Sequence, residues 1–187
     1  MIQKTEATTG SNSDKKQWRL ASGELVVDKE NSHIHEMPDG LFDEAIARIN
    51  SNGRDKISEE VDFGREIGKC ALVEAGEGDE VFYALRPRRS CLARFVKNRE
   101  AAPCSTLTII LEKGVDNKFS ETYYVIVTAY IGYISYPFPW DKKYFNSPEK
   151  DAEKERAMEF WGSRALVPEI ESIVPGTETN VCPQIYD

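Results

Sequence analysis

Two runs of the chain, residues 105–112 (STLTIILE) and 122–132 (TYYVIVTAYIG), leave few folds open. Both are dense in Ile, Val, Thr and Tyr, side chains that fit a pleated surface better than a helix. The second run is almost continuously apolar, as suits a strand covered on both faces. A loop containing Gly114 joins the two. They are therefore predicted as antiparallel neighbours at the centre of one sheet.

Helical spacing appears in two places. Leu41, Phe42, Ala45, Ile46 and Ile49 recur on one helical face after the turn signal Met37-Pro38-Asp39-Gly40. Asp39 is the expected cap, and Asn50-Ser51-Asn52-Gly53 the expected stop. Ser147-Pro148-Glu149 then reads as a helix start, with a serine cap, proline at the first position and an acid in the first turn. That helix is predicted over 148–161 and carries Ala152, Arg156, Phe160 and Trp161.

The weaker elements complete the expectation. Residues 24–27 form a short strand candidate, and Ile57, Val61 and Phe63 suit a short strand or an extended segment. Residues 70–73 and 81–85 read as a hairpin around Gly76-Glu77-Gly78-Asp79. Ser135-Tyr136-Pro137-Phe138-Pro139-Trp140 cannot continue a sheet interior and reads as a strap of rings across the core. The expected fold class is α+β: an antiparallel sheet of four to five strands, one helix packed on a face, and a second, C-terminal helix. Its organisation is a polar N-terminal arm (1–22), a single domain (23–165) and an extended tail (166–187) with Pro168, Pro175 and Pro183.

Charge is distributed unevenly. Arg86, Arg88, Arg89, Arg94, Lys97 and Arg99 lie in one short basic ribbon, yet the whole chain carries −8. The acidic stretch between Glu59 and Glu80 is the obvious internal partner for it. Net acidity argues against tight nonspecific binding to nucleic acid, so any such contact is local to the ribbon. No run is apolar for the roughly 18–20 residues of a membrane span, and no membrane association is expected. The polar start, without an apolar leader, and the widely spaced Cys70, Cys91, Cys104 and Cys182 read as a reduced, cytoplasmic protein with core cysteines.

Candidate chemistry centres on the two histidines. His33 and His35 share one face of an extended segment; as metal ligands they lack a third at a recognisable spacing. The chain has no phosphate-binding glycine loop, dinucleotide fingerprint, nucleophile elbow or zinc pattern, so no cofactor or metal is expected.

Four features together resemble the barnase–EndoU–colicin–RelE (BECR) group of ribonucleases, over roughly residues 31–132. They are His33-Ile34-His35 ahead of the first helix, Arg94-Phe95-Val96 on the ribbon, Ser105-Thr106 opening a strand, and Thr128-Ala129-Tyr130 closing the last one. Many members of that group are toxins or toxin-like domains. The resemblance implies metal-independent cleavage of RNA by its own 2′-hydroxyl, with RNA and an inhibitor protein as partners. It implies His33, His35, Arg86, Arg94, Thr106, Thr128 and Tyr130 as catalytic residues, with Arg88, Arg89, Lys97 and Arg99 binding the substrate. Histidine suits proton transfer near neutrality, and the arginine fork suits the oxygens of a phosphorane. The other open reading is a non-catalytic interaction module, whose basic ribbon over residues 86–99 binds an acidic protein or nucleic acid.

Overall fold

The structure is a computed structural model that describes residues 16–28, 32–115, 119, 121–168 and 172–184, and of His33 only the backbone. Its centre is the pair expected from sequence. Strand β10 (Thr106–Lys113) runs antiparallel to β11 (Tyr123–Ile131), with Leu107 opposite Ile131 and Thr108 opposite Tyr130. On the free side of β10 lies β4 (Lys56–Asp62), which places Glu60 opposite Thr108. The segment left open between strand and extended chain is thus a full edge strand.

The other edge of β11 is shared. Strands β2 (Leu25–Val27) and β3 (His33–Ile34) pair with successive parts of it in parallel, and β1 (Gln17–Arg19) pairs antiparallel with β2. The central sheet is therefore mixed, where a purely antiparallel one was expected. Residues 17–19, counted in the polar arm by the sequence reading, belong to this sheet because Trp18 has a place to pack. Its ring meets Phe42 edge-on with centroids 4.9 Å apart, and its indole N–H donates to Asp43. The rest of the arm, residues 1–15, lies outside the described residues.

Helix α1 (Leu41–Ile46) covers one face of this sheet. Leu41, Phe42, Ala45 and Ile46 bury against Leu107, Ile109, Leu111, Tyr124, Ile126 and Ala129. The helix starts from Gly40 in the left-handed conformation, with no side-chain cap, so Asp39 does not fill the role expected of it. The alternation along β11 would fail halfway without a correction. The register slips between Ile110 and Leu111, leaving Val127 as an extra residue. This bulge keeps Tyr124 and Ile126 inward while Thr128 and Tyr130 face away from α1.

A second sheet orders β6 (Leu72–Glu74), β12 (Arg164–Leu166), β8 (Leu92–Val96) and β7 (Val81–Leu85) side by side. The hairpin expected between β6 and β7 does not form. Strand β7 pairs instead with β8, and β6 pairs with β12 from the far end of the chain. A two-stranded ladder, β5 (Gly68–Cys70) with β9 (Ala102–Cys104), makes a third sheet, where one had been expected. A 3₁₀ turn at Pro148–Lys150 leads into α2 (Asp151–Gly162), which buries Ala157 and Trp161. Ser147 opens this turn without a side-chain capping bond.

The proline-rich segment does strap rings across the second sheet. Phe138 stacks with Trp140 and tilts onto Trp161, centroids 5.4 and 4.2 Å apart, and Trp140 Nε1 donates to the Leu92 carbonyl at 2.7 Å. The tail returns along β7, where Tyr83 and Thr179 exchange both backbone hydrogen bonds at 2.8 Å. The four cysteines are unbridged; Cys70 and Cys104 are buried as expected, but Cys182 is exposed. No helix among the described residues is long and apolar enough to cross a membrane.

Candidate active site

The face of the central sheet turned away from α1 carries polar groups in rows, and strand register dictates which. Glu60 stands opposite Thr108, and Thr108 opposite Tyr130. The parallel pairing of β3 matches His33 with Thr128 and Ile34 with Ala129, and the His35 N–H donates to the Ala129 carbonyl at 2.9 Å. His35 therefore continues the row, its ring 5.9 Å from that of Tyr130 in an edge-on contact. The result is a line of four side chains on four segments: Glu60, Thr108, Tyr130, His35. The neighbouring rows bring Thr128 beside the His33 backbone and Thr106 beside Asp62.

The interior of the row is fixed by hydrogen bonds. Thr108, fully buried, donates to the Gly132 carbonyl at 2.7 Å. Tyr130 donates to the Tyr133 carbonyl at 3.2 Å. Glu60 accepts from the Ile134 N–H at 2.6 Å, which ties its carboxylate to the turn after β11. Burial pushes the Tyr130 phenol above its usual pKa; the Glu60 charge adds to the rise, while Thr108 and the Arg86 charge oppose it. Glu60 and His35 are exposed at the two ends, with buried Thr108 and half-buried Tyr130 between them.

The basic ribbon does not act as one unit. Arg86, Arg88 and Arg89 occupy the turn between β7 and β8, with Arg88 at φ 63° on the tip. Among the described residues Arg88 and Arg89 pair with no acid, whereas the Arg86 charge is felt weakly at Tyr130 and, with that of Arg89, opposes the rise that burial gives the Cys91 thiol. The other end of β8 is neutralised by the 59–80 stretch. Arg99 grips Asp79 with two hydrogen bonds of 2.9 Å, and Lys97 pairs with Glu80. Arg94 points elsewhere again: its guanidinium donates to the carbonyls of Trp161 and Gly162 at the end of α2. A cation at that end meets unsatisfied carbonyls and the negative pole of the helix.

Of the sequence-derived candidates, the structure gathers His35, Tyr130, Thr128 and Thr106 on one sheet face, with the His33 backbone beside them and Arg86 in electrostatic reach. Arg94, Lys97 and Arg99 belong to the second sheet and hold partners there. Sequence reasoning passed over Glu60 and Thr108. The signal was the alternation in β4, where Ile57 and Val61 are buried while Ser58, Glu60 and Asp62 take the other face. Among the described residues no group of three or more His, Cys, Asp or Glu is arranged to hold a metal ion. Comparison with protein-family models, curated proteins and solved structures returned no match.

Proposed function

We propose that this row is the active site of an endoribonuclease that cleaves RNA through attack of the substrate's own 2′-hydroxyl. The observation that carries the reading is the row itself, which sets the Glu60 carboxylate and the His35 imidazole on either side of Thr108 and Tyr130 on one sheet face. The reaction needs a base for the 2′-hydroxyl proton, positive charge at the phosphorane and an acid for the departing 5′-oxygen. Glu60, held as an acceptor by the Ile134 N–H, takes the proton. Arg86 faces the developing negative charge. His35 gives a proton to the 5′-oxygen as the P–O5′ bond breaks, leaving a 2′,3′-cyclic phosphate and a 5′-hydroxyl.

Spacing supports the division of labour. Three strand intervals of about 4.8 Å each separate the backbones of Glu60 and His35 across Thr108 and Tyr130. Thr108 and Tyr130, whose hydroxyls already donate to backbone carbonyls, shape the floor and hold the 132–134 turn.

The test is cleavage of single-stranded RNA in the presence of a chelator by wild type, Glu60→Gln and His35→Ala. Loss of a general acid or base lowers the rate by about a hundredfold to ten-thousandfold. Equal cleavage by all three proteins, or none by the wild type, removes the reading. One observation favours a second reading, in which the protein binds without catalysis. Arg88 and Arg89, at an exposed hairpin tip and paired with no acid among the described residues, fit an acidic partner or a nucleic-acid backbone, and that account predicts binding that is lost in Arg88→Ala/Arg89→Ala with no cleavage at all.

A further inference from the structure

The turn that follows β11 is clamped from below and open above. The Gly132 N–H donates to the Thr106 carbonyl at 2.9 Å, and its carbonyl accepts from Thr108 at 2.7 Å. Tyr133 contributes its carbonyl to Tyr130, and Ile134 its N–H to Glu60. Every backbone group named here is tied to the polar row or to its supporting strand. Gly132 turns the chain at φ 139°, with a Cβ at that position only 3.2 Å from the Cys70 sulfur. The backbone is fixed, yet the side chains it presents are not covered. Tyr133 is 45% exposed and Ile134 38% exposed, and the Tyr133 ring stacks on no other ring among the described residues.

A rigid backbone carrying an uncovered aromatic ring beside a candidate phosphate site is what base stacking needs. The ring offers area with little conformational entropy to lose, and every base has a face to lay on it. We infer that Tyr133 is the platform on which a nucleobase next to the scissile phosphate stacks, with Ile134 extending the apolar surface. The inference rests on the ribonuclease reading and adds the substrate class: a single strand with unpaired bases, since a duplex keeps both base faces stacked.

The experiment uses the full chain and a short 2′-O-methyl oligonucleotide, which lacks the attacking hydroxyl, with 2-aminopurine placed at each position in turn. Quenching reports stacking of that base. The wild type and Tyr133→Phe are expected to quench one position strongly. Tyr133→Leu is expected to bind about fivefold to a hundredfold more weakly, with the same loss read as a raised KM on cleavable RNA. Circular dichroism confirms that each variant is folded. Binding by Tyr133→Leu equal to wild type, with cleavage still dependent on His35, overturns the stacking role and leaves the ribonuclease reading standing. Tyr133-dependent quenching without any cleavage keeps the stacking role and removes the ribonuclease reading. A wild type that neither quenches nor cleaves overturns both.

Discussion

Arg94→Met separates two roles for one residue, and the structure sets the size of the effect. The guanidinium donates to the carbonyls of Trp161 and Gly162, the second at 3.2 Å, where α2 ends. Hydrogen bonds to a charged group contribute about 1.5 kcal/mol each at the low end, and a cation at a helix C-terminus about 0.5–1 kcal/mol. Against this, the Nε of Arg94 is buried with no partner, and removing it returns about 1 kcal/mol. Methionine keeps much of the apolar stem. The net loss is about 2–3 kcal/mol, which lowers the melting temperature of a chain this size by about 5–10 °C. The assay is thermal unfolding followed by circular dichroism, paired with RNA cleavage well below the melting point. An unchanged melting temperature with cleavage abolished would instead give Arg94 a direct part in cleavage.

Two further outcomes follow from the structure. Burial pushes the Cys91 thiol up to about 11, with Asp141 adding to it, and the Tyr83 phenol up to about 12. The fold holds both groups protonated, so their contribution is complete below the unfolded values of 9.0 and 10.0 and is lost as pH rises through about 11 and about 12. Melting temperature is therefore expected to fall between pH 9 and 12, and a flat profile there contradicts the assignment. Gly132→Ala forces a Cβ onto a left-handed backbone beside Cys70 and is expected to cost about 1–3 kcal/mol in a denaturant titration; no loss would mean that the turn is not held as described.

What could be read from the sequence was local. The β10–β11 pair and α1 were legible because their signals lie close together in the chain: β-branched and aromatic runs joined by a glycine-containing loop of moderate length, and an apolar stripe at helical spacing. The partner of β6 was not legible, because β12 lies some ninety residues away and nothing in Leu72-Val73-Glu74 distinguishes it from β7 as a partner. The bulge at Val127 was invisible for a related reason. A continuous apolar run hides which residues point inward until a partner strand fixes the register.

The site divided along the same line. His35 and Tyr130 were picked out by residue type, but their contact depends on the parallel pairing of β3 with β11. Glu60 was counted with the acids expected to neutralise the ribbon, a task that falls to Asp79 and Glu80. The ribbon itself looked uniform because charge is legible in sequence while direction is not. Its members end in three places: the hairpin tip, the end of α2 and the Asp79–Glu80 turn.

The central claim is that the Glu60–Thr108–Tyr130–His35 row drives cleavage by the 2′-hydroxyl of RNA, and the chemistry of the product ends tests it most directly. Mass spectrometry of a short oligoribonucleotide incubated with the protein and a chelator reads those ends. The account predicts 2′,3′-cyclic phosphate and 5′-hydroxyl termini, formed by the wild type and not by Glu60→Gln or His35→Ala. Products ending in a 3′-hydroxyl, or an oligonucleotide left intact by the wild type, would contradict it.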